Sequence, residues 1–339
     1  MRTISRIFAA GIFAARVFVI AALAGALALP LAATAAEEAA PRGLTPEQKA
    51  DSDALRALTK ATPVLQMDRV ELHPAVKLEG ISMVAADARG NIYVIHRPSA
   101  PDADPVVVLD PAGKVLRSWG KGKYKIPHGI RIDPDGNVWT LDANLSKVFK
   151  YTPEGKQTME INVGGVPDPK RDFCGITDIA FSPAHDGHVF IGDGYCNGRV
   201  LEYDGAGKKI TEWGKRGTGP GEFNLVHGVA FGPDGNLYVA DRENGRIQWF
   251  DIHGKFLGQR RYGGQFYNVT FDAGGQLWAS VHPKGVSLDD EFNVVKFDNA
   301  TGKMLGRIEG RSHELGLGAD GSIYPASRSE LLLVFRPHK

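Results

Sequence analysis

The sequence predicts an all-β fold, a six-bladed β-propeller closed by an N-terminal strand. Three observations predict it. A Gly-centred turn recurs six times at a spacing of roughly 40 to 50 residues, the interval of propeller blades. The turns are Arg89-Gly90-Asn91, Asp135-Gly136-Asn137, Asp186-Gly187-His188, Asp234-Gly235-Asn236, Gly274-Gly275-Gln276 and Asp320-Gly321-Ser322. A short apolar strand follows each turn, from Ile92-Tyr93-Val94 to Ile323-Tyr324-Pro325, and no repeat carries a helical apolar period.

The copy from Leu225 to Phe250 shows the unit most clearly. His227 to Phe231 reads as a first strand and Pro233-Asp234-Gly235-Asn236 as its turn. Leu237 to Ala240 is a second strand, Asp241 to Gly245 a loop and Arg246 to Phe250 a third strand. A fourth lies around Phe256-Leu257, beyond the turn at His253-Gly254. One such meander cannot bury both of its faces, so it stacks on copies of itself. The last copy ends with its third strand, Leu331 to Phe335. Val64 to Leu72, ahead of the first copy, alternates as a strand does and supplies the missing one, which removes the open sheet edges.

Charge and termini narrow the class. Lys and Arg number 40 against 39 Asp and Glu in 339 residues, so there is no basic footprint for nucleic acid. Residues 1–36 read as a signal peptide. Arg2, Arg6 and Arg16 flank or enter an apolar run that reaches Leu31, and Ala33-Thr34-Ala35 offers a small-x-small cleavage site. An uncleaved anchor is the rival reading; cleavage implies a secreted or periplasmic protein with no stable membrane insertion, expected as a monomer. Residues 37–62 form a leader, either a short helix beginning at Thr45-Pro46-Glu47-Gln48 or a disordered segment, and residues 63–339 form the propeller. Several motifs are structural: Gly217-x-Gly219-x-Gly221 precedes no helix and joins two blades. Asn197-Gly198-Arg199 and Asn244-Gly245-Arg246 repeat one turn, and Trp119-Gly120 and Trp213-Gly214 end blades.

Chemistry concentrates in two columns. Aligning the repeats on their turns, the first position of each innermost strand holds Glu79, His128, Thr177, His227, Tyr267 and His313. Histidine falls on alternate blades, so three imidazoles converge on the channel, as in a catalytic zinc site with an open fourth position. The ends of the second strands emerge at the same face and hold Arg97, Ala143, Gly194, Arg242, His282 and Arg328, with Tyr195 one step beyond Gly194. An Arg fork there suits a carboxylate. Cys174 and Cys196, the two cysteines, lie at that end too and read as a disulfide in an exported protein; a thiol nucleophile or metal ligand is the alternative.

With these residues in view, the chain resembles the peptidyl-α-hydroxyglycine α-amidating lyase family, within the broader NHL-repeat propellers. Ile95-His96-Arg97, Tyr124 to Gly129, Phe173-Cys174, Asp193 to Asn197, Ala240 to Gln248 and His313 carry the resemblance, which spans the blades from about Leu78 onward. It implies a lyase that cleaves the C–N bond of an α-hydroxyglycine carbinolamide to an amide and glyoxylate. It places zinc on His128, His227 and His313, the catalytic tyrosine at Tyr195, active-site arginines at Arg97 and Arg242, and the disulfide at Cys174 and Cys196. A structural calcium would take the carbonyls of Val84 and Ile130, with Glu314 where the family has Asp. The chain departs from the pattern at Ser312-His313-Glu314, in the segment Pro98-Ser99-Ala100-Pro101, and at Tyr238 and Trp249, which replace a second cysteine pair. No hydroxylating copper domain is recognisable in it, so a peptide substrate is expected to be hydroxylated elsewhere. The alternatives are a lactonase-like metal-dependent propeller hydrolase and a non-catalytic binding scaffold.

Overall fold

Each Gly-centred turn closes as its chemistry predicts. Gly90, Gly136, Gly187, Gly235, Gly275 and Gly321 have φ between 76° and 84°, where an L side chain is strained. In three blades the Asp three residues ahead fixes the turn by accepting backbone N–H groups, as Asp87 does from Arg89 and Asn91. Asp133 does so from Asp135 and Asn137, and Asp272 from Gln276.

The computed structural model describes residues 43–164, 174–286 and 292–338. They form six four-stranded antiparallel sheets. The innermost strands are Met83–Ala86, Pro127–Ile132, Asp178–Phe181, Val226–Phe231, Gln265–Phe271 and Glu314–Leu317. Each touches the next, and the last touches the first, which closes the ring. The sixth sheet is built as the truncated last repeat predicts. Met67–Leu72 pairs with Leu332–Pro337, from Met67 opposite Pro337 to Leu72 opposite Leu332. Val, Ile, Leu and aromatic side chains fill the spaces between neighbouring blades, as where Val84, Val94 and Val107 meet Tyr324 and Val334.

The leader takes the helical alternative over Pro46–Ala61. Thr45 and Gln48 make a reciprocal capping box. Leu55 is fully buried with Phe266 and Val281 of the fifth blade, and Ser52 Oγ donates to the Lys284 carbonyl at 2.9 Å. Residues 1–36, read as a signal peptide, lie outside the described residues, as does Phe173.

The motifs set aside as structural behave so. Asn197 and Arg199 both donate to Asp193, as Asn244 and Arg246 do to Asp241. Arg246 also holds the inter-blade loop through the carbonyls of Thr218, Gly219 and Glu222. Trp119 packs on Gly155 and Tyr151 of the next blade. Tyr238 and Trp249, where the family has cysteines, are cross-strand partners stacked at 5.8 Å.

Candidate metal centre and active site

The histidine column holds at five of six positions. Tyr93, Trp139, Phe190, Tyr238, Trp278 and Tyr324 mark one register position of the second strands, opposite Ala85, Arg131, Ala180, Ala230, Thr270 and Gly316. Counting back three residues from each gives Ser82, His128, Thr177, His227, Tyr267 and His313. Blade 1 therefore contributes Ser82, and the expected Glu79 lies three residues upstream. Glu79 has a different task. Lys77 and the backbone and hydroxyl of Ser99 bind its carboxylate, hold its pKa down to about 2, and so pin the Pro98–Pro101 segment.

His128, His227 and His313 meet in the channel. Their ring centroids are 5.5, 5.6 and 4.8 Å apart, and all three side chains are buried. The Tyr195 hydroxyl lies 2.7 Å from His128 Nε2 and 3.3 Å from His227 Nε2. His227 Nδ1 donates to the Tyr267 carbonyl at 2.6 Å, which leaves its Nε2 bare. Burial first, then nearby positive charge, with Arg328 acting on each of them, pushes all three imidazoles well below their usual pKa. Neutral and convergent, with the Nε2 atoms of His128 and His227 meeting at one hydroxyl, this donor set fits a divalent metal.

Glu314 joins the group, its ligand atom and those of the histidines lying within 4.8 Å of one another. Its Oε1 is 3.1 Å from His227 Nδ1 and 3.8 Å from His313 Nδ1, and Asn268 donates to Oε2 at 2.6 Å. It faces the Nδ1 edges, behind the nitrogens that look toward Tyr195, as a carboxylate orienting metal-binding histidines does. Burial, with the Asp178 charge, pushes its pKa well up. The Glu314 carboxylate, expected to serve a calcium with the Val84 and Ile130 carbonyls, has His227 Nδ1 and Asn268 as near partners. Arg131 and Arg328 both lie within electrostatic reach of Glu314, and Arg131 is paired bidentately with Asp178 at 3.0 and 2.7 Å.

Tyr195 is placed by close backbone approach. A Cβ at Gly194 would lie 1.7 Å from the Val226 carbonyl, so only glycine lets this loop reach the channel. The adjacent Cys174–Cys196 disulfide is present, with Cα atoms 4.9 Å apart. Burial raises the phenol's pKa above 10, and Arg328, Arg242 and Arg97 pull against it.

The arginines differ. Arg97 Nε donates to Ser82 Oγ at 2.9 Å and the Pro127 carbonyl at 3.1 Å, and no described carboxylate pairs with it. Arg242 is buried, pairs with Glu243 at 2.8 Å and lies over the Tyr267 ring at 4.8 Å. Arg328 stood in the same sequence column without a role of its own; its Nη2 donates to His313 Nε2 at 2.8 Å. His282, the other cationic candidate at the rim, stacks on Phe292 at 4.3 Å.

Comparison with known proteins places this arrangement. Residues 223–250 match the NHL repeat family. A Xenopus laevis peptidyl-glycine alpha-amidating monooxygenase is 33% identical over 74% of this chain and 31% of its own length. A Caenorhabditis elegans protein, named as a probable peptidyl-α-hydroxyglycine α-amidating lyase, is 28% identical over 74% of this chain and 81% of its own. Two Drosophila melanogaster proteins named as peptidyl-α-hydroxyglycine α-amidating lyases are 32% identical over 60% and 46% of this chain, so lyases of this name are among its relatives. The chain spans a third or less of the length of the amidating monooxygenases it matches. Outside these relatives, a streptogramin B lyase structure superposes with a TM-score of 0.57 at 13% identity, covering 80% of this chain and 97% of that one, a likeness of fold.

Proposed function

We propose that this chain is an exported, zinc-dependent carbon–nitrogen lyase, cleaving an α-hydroxyglycine carbinolamide, N–CH(OH)–COO⁻, to an amide and glyoxylate. The observation that carries the reading is the contact of the Tyr195 hydroxyl with the Nε2 atoms of two channel histidines, with Arg97 at the same mouth lacking a carboxylate partner among the described residues. His128, His227 and His313 would hold the ion, which supplies Lewis acidity toward the substrate hydroxyl. The Tyr195 oxygen is the proton acceptor: as the hydroxyl proton leaves, the C–O bond becomes C=O and the C–N bond breaks. The electron pair departs with nitrogen, which takes up a proton to become the amide. The guanidinium charges favour the phenolate that this step needs, against its burial. Arg97 orients the carboxylate, and no covalent nucleophile is required.

A lactone hydrolase is less well supported, because Glu314 faces the Nδ1 edges instead of adding a carboxylate beside Tyr195. Retention of the disulfide favours an oxidising compartment. Among the described residues no helix is long and apolar enough to cross a membrane.

The test is glyoxylate release from α-hydroxyhippurate by purified protein with measured metal content. About one tightly held divalent ion per chain is expected, and His227→Ala should lose most of the metal and the product. A zinc-loaded wild type that releases no glyoxylate would overturn the lyase reading. Equal metal in the wild type and in single mutants at the three histidines would overturn the site.

A further inference from the structure

The column of second-strand ends has one member whose backbone is under strain. Arg328 has φ +55°, a left-handed conformation uncommon outside glycine and Asn. Such strain persists only where the surroundings hold it, and it clusters at functional sites. Here the Arg328 N–H donates to the Ile81 carbonyl at 2.9 Å. Two residues upstream, the Glu79 carbonyl accepts the N–H of Arg97 at 2.7 Å. One short segment of blade 1 therefore anchors both arginines, although they come from different blades. The Arg97 side chain crosses Gly80 and is fixed at Ser82 Oγ, so its two terminal nitrogens project free of any described partner.

The charges lack a direct ion-pair partner among the described residues, although Glu314 lies within electrostatic reach of Arg328 and Asp142 of Arg97. Arg328 Nε is buried without a hydrogen bond, and Nη2 rests on a neutral imidazole. Neither Arg97 nor Arg328 has a carboxylate within ion-pair distance among the described residues, whereas Arg242 has Glu243. Burial, then the charge of Arg328, brings the Arg97 pKa down to about 10. Two guanidiniums anchored on one segment, partly desolvated and with no carboxylate in contact, are suited to receive one.

We propose that Arg328 is a carboxylate-anchoring residue that works with Arg97, placing the substrate carboxylate on the blade 1–blade 6 side of the channel. This rests on the lyase reading for the identity of the substrate, but not for the existence of the anion site. Arg97 and Arg328 each donate to the carboxylate, and the carbinolamide carbon is thereby held between the histidines and Tyr195. Arg242, already paired, takes no part in the grip.

The experiment uses hippurate, which carries the carboxylate but lacks the reactive hydroxyl, and hippuramide, its neutral counterpart. Both are titrated calorimetrically into metal-loaded wild type, Arg328→Asn and Arg328→Lys. Asn is chosen because it tolerates the left-handed backbone. Hippurate should bind roughly ten- to hundredfold more weakly to Arg328→Asn, the loss expected for a charged hydrogen bond. Arg328→Lys should recover part of it, while hippuramide binding and metal content stay as in the wild type. The proposal is overturned if Arg328→Asn binds hippurate as the wild type does, or loses hippurate and hippuramide alike. It is also overturned if the wild type does not bind hippurate. A wild type that binds hippurate through Arg328 yet releases no glyoxylate from α-hydroxyhippurate would sink the lyase reading and leave the anion site standing.

Discussion

Arg97 and Arg242 leave corresponding strand ends on opposite sides of the channel, yet their surroundings differ in kind. Arg242 is buried, stacked on Tyr267 and ion-paired with Glu243, whose carboxylate also takes Gln265 and lies 3.5 Å from Lys284. Its position is over-determined before any ligand arrives. Arg97 is held only at Nε, and Arg328 beside it is held by its backbone and one imidazole. The same residue type thus serves as fixed electrostatic scenery on one side and as an open hand on the other. Sequence position alone gives both arginines equal claim to a carboxylate; the acidic neighbour decides between them.

The comparison breaks most sharply at the phenol, which sits between the two sides. Tyr195→Phe keeps the ring, the disulfide and the donor set but removes the proton acceptor. Turnover of α-hydroxyhippurate should fall by about 10²- to 10⁴-fold with metal content unchanged. Wild-type turnover in this variant would remove the phenol from the chemistry. A smaller effect separates the arginines. Arg97→Lys keeps charge but loses the fork, so KM should rise about tenfold with kcat largely held. Arg242→Lys should shift KM less, and the reverse ranking would show that Glu243 releases its partner when substrate binds. The smallest effect belongs to the loop that carries Tyr195. Reducing Cys174–Cys196 should lower kcat several-fold while the β-sheet circular dichroism of the propeller persists, because the link closes only a local segment. Simultaneous loss of both signals would make the bridge a support of the whole ring.

The fold was legible because each blade repeats the same turn chemistry, and the histidine column because it inherits that period. In blade 1 the sequence count slipped: eight residues separate His128, His227, Tyr267 and His313 from their turn glycines, and the same eight counted back from Gly90 give Ser82, not Glu79. The pairing of Ala85 with Tyr93 agrees. Glu314 was read through its neighbour in sequence, His313, but its carboxylate reaches across the channel to His227, a contact set by side-chain direction rather than spacing. Arg328 was visible as a member of a column. Its strain and its shared anchor with Arg97 come from a contact between the first and last blades, which no local pattern records.

That last contact bears on how the protein comes into being. Residues 67–72 and 332–337 meet only when nearly the whole chain has been made, so the loop to be closed is about as long as the domain itself. Blades carrying His128 and His227 can form on a growing chain, but His313 and Arg328 belong to the blade that waits for both ends. The final donor and the strained arginine are therefore delivered by the act of ring closure. A chain cut short before its last strands has two imidazoles facing an open seam and no working centre. A metal held by the finished trio would tie the last blade to the second and fourth, and so steady the closed ring.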